Sequence, residues 1–156
     1  MKRHLQLQPL SRQHHNGLLI ALLLSKGIKK KADRQVMASF ISHNWQADLK
    51  EHFHLEEAYL LPMLTRHSFD QAMIEKLLAE HAMLTGLANE AINGTIETHQ
   101  IEFFANLLNE HIRFEERLFF PAAEKVLTES ELEEIGSVLK DTDDKNCMQY
   151  PVPFWE

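Results

Sequence analysis

The sequence predicts an all-α protein: an antiparallel up-down-up-down four-helix bundle, extended by a short fifth helix and an aromatic C-terminal tail. Three observations lead there. The 156 residues include only 5 Gly and 5 Pro, and these punctuate long stretches of helix-forming residues. Period-two alternation of apolar and polar residues is absent, so no strand pattern competes. The connections between helical stretches are short, which turns each helix back along its predecessor.

Taken in order, Ser11 is placed to cap a first helix that reaches about Lys26, with Gly27 as its stop. Lys29, Lys30 and Lys31 read as a solvated connection. The second helix starts near Asp33 and reaches about Arg66. Ser68-Phe69-Asp70-Gln71 is a capping-box pattern that opens a third helix, which stops at Asn93-Gly94. A fourth runs from about Glu97 to Val126. Thr128-Glu129-Ser130-Glu131 repeats the capping pattern and opens the fifth helix, to about Lys140. The tail from Asp141 to Glu156 is irregular, yet Tyr150-Pro151-Val152-Pro153-Phe154-Trp155 is too aromatic for a plain linker and is expected to dock. The chain reads as a single domain, 1–156, with the bundle over about 9–127 and the short helix and tail over 128–156.

Composition narrows the function classes. With 44% hydrophobic and 25% charged residues the chain can build a core and is not a disordered segment. A formal net charge of −7 argues against a nucleic-acid-binding surface. The longest apolar run, Leu18–Leu24, is too short to span a bilayer, and Met1–Gln13 lacks the apolar stretch of a secretory signal. Cys147 is the single cysteine and has no internal disulfide partner, which fits a cytoplasmic protein. The unusual number is 10 His, against 2 Trp and 2 Tyr.

Some of those histidines sit in an internal repeat. His52-Phe53-His54-Leu55-Glu56-Glu57-Ala58-Tyr59-Leu60-Leu61-Pro62 has the spacing His-x3-Glu-Glu-x4-Pro, and His111-Ile112-Arg113-Phe114-Glu115-Glu116-Arg117-Leu118-Phe119-Phe120-Pro121 repeats it two helices later. Residues at i and i+4 share a helix face, with Cβ atoms about 5–6 Å apart, so each copy can offer an imidazole nitrogen and a carboxylate to one metal ion. An isolated His/Glu pair of this kind is commonly just a hydrogen-bonded pair on a wet helix face. Here both pairs interrupt apolar stripes: Ile41, Trp45, Leu49, Leu60 and Met63 around His52/Glu56, and Phe104, Leu107, Leu118 and Ala122 around His111/Glu115. Two carboxylates in a core are costly, and a bound cation compensates them.

The third helix places His81 in the stripe Ile74, Leu77, Leu84, Ala88 and Ile92. On the first helix, Arg12, Gln13 and Asn16 mark the outer face; His14 then points inward, with His15 further round and still an alternative. His52, His81 and His111 fall at nearly one level when the helices are laid antiparallel. Glu57 and Glu116 are expected beside the ligands or in solvent rather than ligating. His4, His43, His54, His67 and His99 are expected to be incidental. Imidazole and carboxylate donors without a thiolate suit iron, manganese or zinc.

Two His-x3-Glu-Glu-x4-Pro segments with single inward histidines on the other two helices resemble the hemerythrin-like (HHE cation-binding) family. The resemblance covers roughly residues 9–127 and implies a four-helix bundle holding a non-haem di-iron centre, with zinc or manganese as alternatives. Carried over by motif, the metal ligands would be His14 (or His15), His52, Glu56, His81, His111 and Glu115. Glu56 and Glu115 would bridge the two ions, and the histidines would be terminal. The chain departs from the oxygen-carrying hemerythrins on the third helix, where Leu77 takes the first place of their His-x3-His pair. It departs again on the fourth, where His111-x3-Glu115 replaces their His-x4-Asp. Fewer histidines leave more open positions, which speaks against reversible oxygen carriage.

The resulting expectation is a metal-binding protein that binds or senses O2, reactive oxygen species or NO, as in a stress response. Its partners would be a small diatomic ligand or peroxide at the metal, with no nucleic acid and no membrane, and assembly into a homo-oligomer is left open. The alternative is a di-iron enzyme or iron-handling protein: peroxide turnover, iron delivery or iron–sulfur cluster repair.

Overall fold

The computed structural model describes residues 2–139 and 146–156. Lys140, where the sequence places the end of the fifth helix, and the start of the tail, 141–145, lie outside the described residues. All regular structure among the described residues is helical. The long helices are α1 (Gln8–Lys29), α2 (34–65), α3 (Gln71–Ile92) and α4 (98–126), followed by the shorter α5 (Glu129–Leu139). None is long and apolar enough to cross a membrane.

The starts of four helices follow local chemistry. Asp33 accepts from the Val36 N–H at α2, and Asp70 from the Ala72 N–H at α3. Before α4, Glu97 and Gln100 exchange capping-box hydrogen bonds. At α5, Thr128 Oγ1 accepts from the Glu131 N–H while Glu131 Oε1 accepts from the Thr128 N–H. The first helix departs from expectation. It begins at Gln8 with Pro9 in its first turn, where no N–H is required, so Ser11 lies inside it rather than at its cap. Gly27 is not a stop either. It lies within α1, where a Cβ would sit 2.7 Å from Phe154 Cδ1, so its missing side chain makes room for the tail. Tyr150, Phe154 and Trp155 all pack against the buried Phe40 ring, at centroid distances of 5.2, 4.9 and 5.9 Å.

Helices α2 and α4 are not uniform. π turns occupy Trp45–Leu49 and Glu56–Leu60 in α2 and Glu115–Phe119 in α4. The Leu61 N–H bonds back to the Glu56 carbonyl and the Phe120 N–H to the Glu115 carbonyl, five residues away. In both repeat copies the turn thus starts at the motif's first glutamate, and the motif's proline lies two residues past its end, at Pro62 and Pro121. Such a turn inserts one residue into the helical register. The stripe predicted through Leu118 and Ala122 therefore slips by one: Leu118 is 56% exposed, while Phe119 and Ala123 are fully buried in its place.

α1 packs on α4, α2 on α3, and α3 on α4. The core is two apolar clusters. One contains Ile20, Leu49, Phe53, Leu84, Leu107 and Ile112; the other contains Leu10, Leu55, Leu60, Leu77, Phe114 and Phe119. Followed along the chain, α1 and α3 run from the second cluster to the first, and α2 and α4 run from the first to the second. A buried histidine lies at or within two residues of each crossing.

Candidate metal centre

Between the clusters lie six buried polar residues: His14 from α1, His52 and Glu56 from α2, His81 from α3, and His111 and Glu115 from α4. The i,i+4 spacing brings His52 Nε2 within 3.5 Å of Glu56 Oε2, and His111 Nε2 within 2.7 Å of Glu115 Oε1. The other two histidines reach across: His14 Nε2 lies 3.6 Å from Glu115 Oε1, and His81 Nε2 3.2 Å from Glu56 Oε1. The Nε2 atoms also pair, His14 with His52 at 3.1 Å and His81 with His111 at 3.2 Å. Two sets of donor atoms result, His14/His52/Glu56/Glu115 and His81/His111/Glu56/Glu115, each with all its atoms within 4.8 Å of one another.

This donor set fits a metal. Glu56 and Glu115 are 0% exposed. Among the described residues none of their four carboxylate oxygens has a hydrogen-bond partner. Buried polar atoms are ordinarily satisfied, and four orphaned carboxylate oxygens facing four imidazole nitrogens need a cation or protons between them. Without metal, protons take that place. Burial pulls the His14 imidazole down, but the Glu115 and Glu116 carboxylates outweigh it and raise it to about 9. His111 responds in the same way, with Glu115 and Glu80 raising it to about 10 against burial. Burial and the neighbouring Glu115 charge push the Glu56 carboxyl up to about 8. Glu115 resists its own burial and stays ionised, held well below the carboxylate range chiefly by His111.

The outer ring nitrogens are held as systematically as the inner ones. Nδ1 of His14 bonds Glu116 Oε1 at 2.6 Å, and that of His52 bonds Gln13 Oε1 at 2.6 Å. Nδ1 of His81 bonds Glu57 Oε2, and that of His111 bonds Glu80 Oε1, each at 2.8 Å. Each acceptor sits on a neighbouring helix and takes the Nδ1 proton, which leaves Nε2 as the inward lone pair in the neutral ring. Phe120 stacks on His14 at 5.5 Å and Phe53 on His81 at 4.1 Å, which fixes the ring planes. Arg3 Nη2 braces Glu116 at 3.1 Å, and Lys76 Nζ braces Glu80 at 2.8 Å.

The hemerythrin HHE cation-binding domain model matches residues 8–123. The chain belongs to that family. No curated protein and no solved structure matches it. In this hemerythrin-family chain all six residues singled out from the sequence come together in the buried cluster, and His14 rather than His15 enters it. His15 is exposed and lines a groove with Leu18, Leu22 and Arg113 on the α1–α4 side. The remaining histidines lie elsewhere. His4 caps the Leu5–Leu7 turn, His43 lies against Tyr150, and His67 bonds Glu131.

Two residues were missed and one face was misassigned. Gln13 and Asn16, assigned to the outer face of α1, point inward: Gln13 holds His52, and the buried Asn16 bonds Asp48 Oδ2 at 2.8 Å. Glu80 had not been singled out. Their placement is parallel, because Gln13 directly precedes His14 as Glu80 precedes His81, but the sequence does not show that either meets a histidine on another helix.

Proposed function

We propose that this protein holds a non-haem di-iron centre in an antiparallel up-down-up-down four-helix frame and binds or senses O2, reactive oxygen species or NO there. The observation that carries the reading is the pair of fully buried, unpartnered carboxylates faced by four imidazole nitrogens. Glu56 and Glu115 belong to both donor sets and would bridge two ions; His14, His52, His81 and His111 would be terminal ligands. Nitrogen and oxygen donors without thiolate suit iron, manganese or zinc, and the family favours iron among them. The frame is supported by the alternating order in which the four helices cross the two apolar clusters.

Bound iron supplies redox change and open coordination positions for a small ligand. The chain's residues do the rest. Six donors do not saturate two six-coordinate ions, so an exogenous ligand has room. Glu116, Gln13, Glu57 and Glu80 fix the imidazole orientation and tautomer before any metal arrives. Phe53 and Phe120 cover the rings and keep bulk water from the cluster. We place the protein in the cytoplasm, where the buried free thiol of Cys147 needs no partner.

The test is anaerobic reconstitution with Fe(II) followed by optical spectroscopy. The expected result is a charge-transfer absorption that changes on adding O2, NO or peroxide and is absent in His111→Ala. An iron-loaded protein indifferent to all three would overturn the reading.

A further inference from the structure

Resting on that two-metal reading, we propose that the two positions are unequal, and that the one between His81 and His111 fills first and holds its ion more tightly. The two halves of the site correspond residue by residue. Glu57 and Glu116 follow the first glutamate of each motif copy and hold the histidines of α3 and α1. Gln13 and Glu80 precede those histidines and hold the histidines of the motif copies, His52 and His111. The correspondence breaks in chemistry at this last pair, where one half has an amide and the other a carboxylate.

That difference reaches the metal through the ring. When Nε2 gives its lone pair to a cation, positive charge is drawn onto the imidazole. A carboxylate on the Nδ1–H stabilises that charge, whereas an amide oxygen does so much less. His81 and His111 both have carboxylate acceptors; of His14 and His52, only His14 does. The flanking charges do not separate the halves, so the difference rests on the hydrogen-bond acceptors. Around His14 and His52, the Arg3 guanidinium is shared by the Glu116 and Glu124 carboxylates and Gln13 adds no charge, which leaves one negative charge in excess. Around His81 and His111, Lys76 pairs with Glu80 while Glu57 adds a second carboxylate, which leaves the same excess. Glu57 is 44% exposed, so water weakens its long-range field, but its hydrogen bond to the buried His81 at 2.8 Å is direct. The buried Asp48 carboxylate, one turn before His52 on α2, accepts from Asn16 Nδ2 at its Oδ2.

The test is an anaerobic Fe(II) titration of the full chain against a chromophoric chelator, read as two stepwise dissociation constants. Outer acceptors of metal-bound histidines are typically worth 10–100-fold in affinity, so the two constants should differ by about tenfold or more. Gln13→Glu should tighten the weaker step by about tenfold and leave the tighter one unchanged, while Glu80→Gln should weaken the tighter step by a similar factor. Both replacements are isosteric and act in opposite directions, so general damage to the fold cannot imitate the pair. One equivalent of Mn(II) should broaden the ring NMR signals of His81 and His111 before those of His14 and His52. Two equal constants in the wild type, no response of the weaker step to Gln13→Glu, or broadening of His14 and His52 first would each overturn the proposal. Binding of fewer than two ions would instead overturn the two-metal reading beneath it.

Discussion

Loading the cluster with metal at pH 7 should release about three protons per chain. A metal ion takes only deprotonated donors, and His14, His111 and Glu56 hold protons in the metal-free protein at pH 7. His14 and His111, at about 9 and 10, carry their second proton almost completely at pH 7. Glu56, at about 8, is roughly nine-tenths protonated there. Each of these protons occupies space the cation needs. Titration calorimetry at pH 7 in buffers of different ionisation enthalpy counts them, because the observed enthalpy varies with buffer enthalpy in proportion to protons released. The overall affinity for two ions should likewise rise by about three powers of ten per pH unit near neutrality, flattening toward pH 10. Binding of two ions with release of less than one proton would refute the picture of a proton-filled cluster.

Other consequences follow from the same geometry. His14, His111 and Glu56 all have folded-state values above their ordinary 6.5, 6.5 and 4.5. Their contribution to stability is therefore complete below those ordinary values and is lost progressively as pH climbs from them to about 8 to 10. Glu116, held down to about 2 by His14 against its burial, acts oppositely and loses its contribution as pH falls below about 4.5. Metal-free melting temperature should thus be highest between about pH 4.5 and 6.5, where the lowered His81 offsets the loss from Glu56, and decline toward pH 10, while metal-loaded protein gains stability over that range; a metal-free Tm rising to pH 10 would contradict this. Metal at a thousandfold excess over Kd should stabilise the fold by about 4 kcal/mol, or about 8–16 °C in Tm. The double variant Glu56→Gln/Glu115→Gln should lose that shift while its metal-free form is at least as stable as wild type. Phe40→Ala removes a wholly buried ring that Tyr150, Phe154 and Trp155 pack against, and should cost about 3–5 kcal/mol with a red shift of Trp155 emission. An unchanged melt and emission would show that the tail does not rest on Phe40.

The residues of the buried cluster were legible in the sequence because their relations are local. His52/Glu56 and His111/Glu115 meet by the arithmetic of one helical turn, and His81 sits on an apolar stripe that only a core position explains. The helix boundaries were legible where a side chain caps its own helix, as at Asp33 and Thr128, whereas the box read from Ser68 gives way to Asp70, which caps α3 two residues later. What escaped was relational. Gln13 and Glu80 matter because they meet His52 and His111 on other helices, and no spacing within one helix encodes that meeting. Gln13 and Asn16 read as outward because polarity was taken as exposure, whereas a polar core reverses that rule near its own centre. The slip from Leu118 to Phe119 comes from a π turn at Glu115, and a fixed 3.6-residue period does not register an inserted residue. Ser11 lost its place as a cap to Pro9, which already suits a first turn.

The central claim is that Glu56 and Glu115 are buried to hold metal, and metal quantification tests it most directly. After anaerobic reconstitution and desalting, the wild type should retain about two iron ions per chain, and Glu56→Ala/Glu115→Ala should retain none while keeping its helical circular dichroism. A wild type that holds no metal, or a double variant that still holds two, would contradict the account.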